Sequence, residues 1–121
     1  MPKSENVWPT ELKVSKDKDE LTVCFDNGTD YSYTAEYLRV SSPSAEVQGH
    51  SPDQRKTVGG KQNVRIMNVE AVGNYAVKIS FDDGHSTGLY SWSYLFELGL
   101  EREERWSEYL SELEAKGLSR S

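Results

Sequence analysis

The segment Phe25-Asp26-Asn27-Gly28, followed by Tyr33 and by Tyr37-Leu38, recurs as Phe81-Asp82-Asp83-Gly84, followed by Tyr90 and by Tyr94-Leu95. The copies are 56 residues apart at the phenylalanines and 57 apart from the tyrosines onward. Each copy reads as an apolar strand, an Asp-x-Gly turn, a returning strand and a short helix. A chain that repeats this order is constrained to build one supersecondary unit twice. The expected fold is therefore α+β: a small antiparallel β-rich domain of two related hairpin-plus-short-helix units, with a C-terminal amphipathic helix.

The first unit opens with Glu11-Leu12-Lys13-Val14, which alternates with period two, and continues with the β-branched and apolar Leu21-Thr22-Val23-Cys24-Phe25. Asn27-Gly28 favours the positive φ angles of a tight turn. Tyr31-Ser32-Tyr33 returns, and Thr34 is an N-cap for a helix over residues 35–39. In the second unit Val64, Ile66 and Val69 mark a strand, Val72-Gly73-Asn74 a turn, and Tyr75, Val77, Ile79 and Phe81 one apolar face. Residues 87–90 return, Ser91 caps a helix over residues 92–98, and Gly99 is expected to stop it.

A last helix, about residues 100–116, carries Trp106, Tyr109, Leu110 and Leu113 at i, i+3, i+4 and i+7. Glu101–Arg105 and Glu112–Lys116 are favourable i,i+4 pairs, and Gly117 closes the helix. The stripe is expected to lie on the protein's own sheet; docking on a partner or a second copy is the alternative. The whole, residues 1–121, is read as one domain with its core at about 8–99. Residues 41–62 change to Ser, Pro, Gly, Gln and charge without periodicity, the mark of a functional or disordered loop.

The net charge of −6 comes with scattered Lys and Arg, which argues against nucleic acid and anionic membranes as partners. No apolar run approaches the roughly 20 residues of a membrane span, and residues 1–6 lack the apolar stretch of a signal peptide. A cytoplasmic location is expected. Cys24 is the sole cysteine, so no internal disulfide forms, and it is expected to be a small buried hydrophobe.

The most chemical cluster is Asp82-Asp83-Gly84-His85, whose carboxylates and imidazole are types that ligate iron or zinc. His50, in the long loop, is the one other histidine and could close on the same site. The competing reading is a hairpin turn with solvated carboxylates. No Gly-x-Ser-x-Gly elbow, phosphate loop or dinucleotide fingerprint occurs; Gly59-Gly60-Lys61 lacks the required spacing. The chain is therefore expected not to be an enzyme. The residual catalytic candidate is Asp83 with His85 as a base pair beside Tyr90.

Two blocks, residues 37–46 (from Tyr37-Leu38-Arg39 to Ala45-Glu46) and residues 72–92 (with Gly73-Asn74-Tyr75-Ala76 and Asp82-Asp83-Gly84-His85), are distinctive. Through them the chain resembles the γ-butyrobetaine hydroxylase-like N-terminal domain family over about residues 8–99. In the hydroxylases of that family a separate iron- and 2-oxoglutarate-dependent domain does the chemistry, so hydroxylase activity does not carry over. The resemblance implies a structural zinc held by three cysteines and a histidine. Those positions are Ser42, Ser44, Val47 and His85 here, so three ligands are missing and His85 is left for hydrogen bonding. Similar domains fused to P-loop ATPases that carry iron–sulfur clusters imply a non-catalytic accessory role. Such a domain would serve metal or iron–sulfur handling through a protein partner, itself iron–sulfur or oxygenase related. The alternative implied by the cluster is an iron- or zinc-binding protein.

Overall fold

Gly28 and Gly84 take φ values of 86° and 90°, the left-handed geometry that the two Asp-x-Gly turns demand of a residue without Cβ. In each turn the glycine N–H bonds the preceding phenylalanine carbonyl at 3.1 Å, so the two hairpins close identically. The computed structural model describes residues 8–44, 47 and 57–121. His50, and with it half of the 41–62 loop, lies outside the described residues.

The first unit is β1 (Pro9–Val14), β2 (Glu20–Phe25), β3 (Asp30–Thr34) and α1 (Ala35–Val40). The second is β4 (Ile66–Val72), β5 (Ala76–Phe81), β6 (Leu89–Ser91) and α2 (Trp92–Leu100), and α3 (Arg102–Ala115) follows. The sheets are antiparallel, ordered β1-β2-β3 and β4-β5-β6. A register shift falls at the same place in each, between Pro9 and Glu11 and between Ile66 and Asn68. Thr34 and Ser91 cap α1 and α2 alike, accepting from Tyr37 N at 3.0 Å and Tyr94 N at 3.1 Å. The architecture is the expected α+β one, and the sequence echo is a structural repeat.

The units face each other across one core. Leu21, Val23 and Phe25 of β2 and Val77, Ile79 and Phe81 of β5 point inward, as period two requires. Four tyrosines then cross between units. Tyr33 donates to Leu95 O at 2.6 Å and Tyr90 to Leu38 O at 2.5 Å; Tyr37 donates to Leu98 O at 2.7 Å and Tyr94 to Ser41 O at 2.5 Å. Leu38 and Leu98 lie in the last turns of their helices, where carbonyls lack intrahelical partners. Each unit therefore satisfies the other's helix end.

Several local expectations are corrected. Tyr75 is not on the buried face: the strand begins at Ala76, and Tyr75 is 56% exposed in the turn, where its carbonyl accepts from Trp92 N. Gly99 does not stop α2, which runs to Leu100. A Cβ on Gly99 would land in the ring of Tyr31, so the glycine serves close packing instead. Leu110 is 40% exposed and leaves the apolar stripe to Trp106, Tyr109 and Leu113. That stripe covers Val40 at the end of α1 and Val58, rather than a sheet, with Tyr109 donating to Val58 O at 2.6 Å. Cys24 is half-exposed on the outer face of β2, not buried. Desolvation first, then Asp30 and Glu11, push its thiol pKa up, away from the reactive thiolate.

Candidate functional site

The β5–β6 turn presents Asp82 and Asp83 in opposite directions. Asp82 Oδ1 accepts from Arg65 N at 2.9 Å and Asp82 N donates to Arg65 O at 2.9 Å, which ties the turn to the start of β4. Asp83 faces the end of α1, where Oδ2 accepts from Arg39 Nε at 2.8 Å and Lys61 Nζ at 2.6 Å. Its Oδ1 accepts from the backbone N–H of His85 at 3.1 Å. Burial works to raise the Asp83 pKa, but the bonds from Lys61, His85 N–H and Arg39 overcome it and hold the carboxyl at about 2.

His85 is buried, and its Nε2 is hydrogen-bonded to the hydroxyl of the fully buried Ser42 at 2.9 Å. Ser44 N donates to Ser42 Oγ at 3.2 Å, and Ser44 Oγ and Thr87 Oγ1 are 2.7 Å apart. Val47 is buried, and its N–H donates to Ser44 O at 2.9 Å. At Gly88 a Cβ would collide with Ser42 Oγ, so the hairpin approaches the loop as only glycine allows. Ser42, Ser44 and His85 thus form a hydrogen-bonded clasp between the segment after α1 and the second hairpin.

This donor set does not fit the zinc that the resemblance implies. A closed zinc site needs about four thiolate, imidazole or carboxylate donors. Here one imidazole stands with two hydroxyls that are engaged in hydrogen bonds and a hydrocarbon, Val47. Among the described residues no group of three His, Cys, Asp or Glu side chains is placed to hold a metal ion. Of the expected metal set, Asp82, Asp83 and His85 are neighbours in the chain whose side chains engage three different partners. For the catalytic candidate, Asp83 reaches the backbone of His85 and not its ring, and Tyr90 gives its proton to Leu38 O.

One feature escaped the sequence reading. The sheets meet where Ile66 N donates to Lys18 O at 2.7 Å and Arg65 Nη1 to Asp17 O at 2.8 Å. Beyond that joint β1 and β4 diverge around a groove of about 470 Å³. Leu21 and Val77 form its floor, and Leu12, Val14, Val69 and Ala71 its walls. Met67 stands at its rim, 62% exposed. The available signal was the echo itself, since Leu12 and Val69, and Val14 and Ala71, are each 57 residues apart.

Two hairpin-plus-helix units braced across one core by four tyrosines define the fold. Residues 12–96 match the family described as gamma-butyrobetaine hydroxylase-like, N-terminal, and the chain belongs to that family. It is similar to two solution structures determined by NMR. One is 44% identical, with 94% of this chain and 90% of that one covered and a TM-score of 0.80. The other is 45% identical, with 99% and 89% covered and a TM-score of 0.83. A crystal structure of a protein of unknown function of the DUF971 family from Acidithiobacillus ferrooxidans ATCC 23270 is 32% identical, covers 82% of this chain and 97% of that one, and has a TM-score of 0.63. No curated protein matches the chain. Among the described residues no helix is long and apolar enough to cross a membrane.

Proposed function

We propose that the protein is a non-catalytic accessory domain that docks an extended apolar segment of a partner protein in the groove between β1 and β4. The observation that carries this reading is the groove itself, a cleft lined mostly by apolar side chains, with Lys18 and Asn68 among them, that descends to the core residues Leu21 and Val77. Its walls are two strands that, among the described residues, each pair on one side only, β1 with β2 and β4 with β5. Unpaired strand edges beside apolar positions are what a bound strand uses, backbone bonds supplying affinity and alternate side chains specificity. Val14, at 37% exposure, and Met67, at 62%, give such a segment accessible apolar surface. The α3 stripe, the other docking surface considered on sequence grounds, is less suited, because it is spent on covering Val40 and Val58.

The test places a photo-crosslinking side chain at position 67 and maps what it captures in the native cell. The expected result is a short apolar segment of one partner. As a synthetic peptide that segment binds the wild-type protein, and binding falls at least about ten-fold in Val14→Glu and Met67→Glu, both of which melt as wild type does. Peptide binding unchanged in both variants, or a dimer of this chain abolished by them, would overturn the reading. Elemental analysis of the same sample separates it from the alternative of an iron- or zinc-binding protein centred on His85, Asp82, Asp83 and His50: stoichiometric metal that disappears in His85→Ala would establish that alternative.

A further inference from the structure

A second surface, remote in sequence from the groove, is built around Glu36 in the first turn of α1. Glu36 is 5% exposed, an unusual burial for a carboxylate. Among the described residues its hydrogen bonds come from one guanidinium: Arg120 Nε donates to Oε2 at 3.0 Å and Nη2 to Oε1 at 2.8 Å. The same guanidinium lies over Trp106, 5.3 Å from the ring centroid. Two backbone amides hold the flanking segment, Gly60 N donating to Ser119 O and Gln62 N to Arg120 O, both at 2.9 Å. Gly59 lets that segment close in, since a Cβ there would stand 2.9 Å from Ser119 O. A cavity of about 340 Å³ lined by Thr34, Arg102 and Trp106 continues beside it.

A fork, an aromatic face and two backbone donors are what recognition of an arginine within an extended peptide requires. We propose that this cradle is an arginine-recognition site which the chain's own residues 118–121 fill, and that an arginine-bearing extended segment of a partner protein takes it by exchange. Two features make exchange the natural event. The Arg120 side chain is 42% exposed, so a competing guanidinium can approach the pair from solvent. A buried carboxylate left alone is strongly destabilising, so the cradle trades one guanidinium for another rather than opening empty. Residues 118–121 leave α3 at Gly117, whose φ is 67°, and Leu118 N on Leu113 O at 2.8 Å gives them a fixed pivot. The inference does not rest on the β1–β4 groove, and each can fail without the other.

The experiment follows the backbone amides of Gly60 and Gln62 by NMR in the full chain carrying Arg120→Ala. Added acetyl-Leu-Ser-Arg-Ser-amide should return both amides toward their wild-type positions, and the same peptide with lysine for arginine should bind at least about ten-fold more weakly. In the wild-type protein the arginine peptide should need a higher concentration and should release Ser119 and Arg120. If Arg120→Ala does not fold, the double variant Glu36→Gln with Arg120→Ala removes the stranded charge and should fold without binding the peptide, whereas Arg120→Lys should fold and yield its tail to the arginine peptide. Equal binding of the lysine peptide, binding by the Glu36→Gln double variant, or unmoved Gly60 and Gln62 amides would overturn the proposal. So would a wild-type dimer lost in Arg120→Ala, which would make the occupant a second copy.

Discussion

Tyr33 and Tyr90 are each bound into the other's repeat: the hydroxyl of each donates to a leucine carbonyl in the helix that follows the other. Tyr37 and Tyr94 repeat the exchange on Leu98 and Ser41. The two sheets share no ladder, so these bonds, the joint at Lys18 and Ile66, the Ser42–His85 and Arg39–Asp83 contacts and the apolar core make one body of two units.

Removing either hydroxyl deletes a buried hydrogen bond, and at Leu38 it also strands a helix-end carbonyl. Tyr33→Phe and Tyr90→Phe are each expected to lower stability by about 1–3 kcal/mol. Leu38 O, in the last turn of α1, lacks an intrahelical partner and Leu95 O, inside α2, has one, so Tyr90→Phe should cost more than Tyr33→Phe in urea melts. A neutral Tyr90→Phe beside a costly Tyr33→Phe would refute reciprocal bracing.

The same burial sets the alkaline limit. Desolvation raises the pKa of Tyr33, Tyr37 and Tyr90 far above the usual 10.0, and that of Tyr109 to about 12. Groups with raised folded pKa values stabilise fully below the unfolded value and lose that contribution as pH rises beyond it. Stability should therefore fall above about pH 10, with tyrosinate absorbance and loss of circular dichroism rising together. Ionisation of these tyrosines without unfolding would contradict their burial.

Asp83 sets the acid side. Its folded pKa of about 2 lies below the ordinary 3.8, so its contribution is present above about pH 4 and is lost as pH falls through about 2. Solvent screening of this partly exposed group leaves about 1 kcal/mol of the shift as stability. Asp83→Asn should be less stable than wild type by roughly that amount at neutral pH, and the gap should close between about pH 4 and about pH 2. A gap independent of pH would show that the ion pairs with Arg39 and Lys61 do not set it.

Gly99 tests packing against propensity. Alanine is the better helix former by about 1 kcal/mol. Gly99→Ala should nevertheless lose about 1–3 kcal/mol, because its methyl overlaps the Tyr31 ring. Tyr31→Leu in the same chain should recover part of the loss, and thermal melts of the single and double variants decide it. A stabilised single variant would mean that the helix end is free to relax.

Local chemistry was the legible part. Thr34 and Ser91 as caps, Gly28 and Gly84 as turn residues, and the Glu101–Arg105 pair, at 2.8 Å, stand where spacing put them. Each is decided within a few residues, where steric limits and short hydrogen bonds act alone. Tyr75 and Leu110 were misread because periodicity reports which residues share a face, not whether a neighbour covers that face; Gly99 was misread because a glycine after a helical run reads as a stop whether or not a neighbour needs its space. Tyr75 continues the alternation of β5 yet sits in the turn, and Leu110 continues the α3 stripe yet points past Val40.

The candidate site divides the same way. That His85 sits at a glycine turn, and that Ser42, Ser44 and Val47 occupy the family's ligand positions, was legible from the residues and the resemblance. Which atoms they touch was decided by the meeting of α1's end with a hairpin more than 40 residues away, where Ser42 reaches His85 and Arg39 reaches Asp83. The echo by itself determined that the chain builds one unit twice, because the turn glycines and caps are local. Only the tertiary structure decided that the units exchange tyrosines, that β1 and β4 part to leave a groove, and that Arg120 returns to Glu36 across 84 residues. Those contacts join residues distant in sequence, and no local preference encodes which distant carbonyl, strand edge or carboxylate will be within reach.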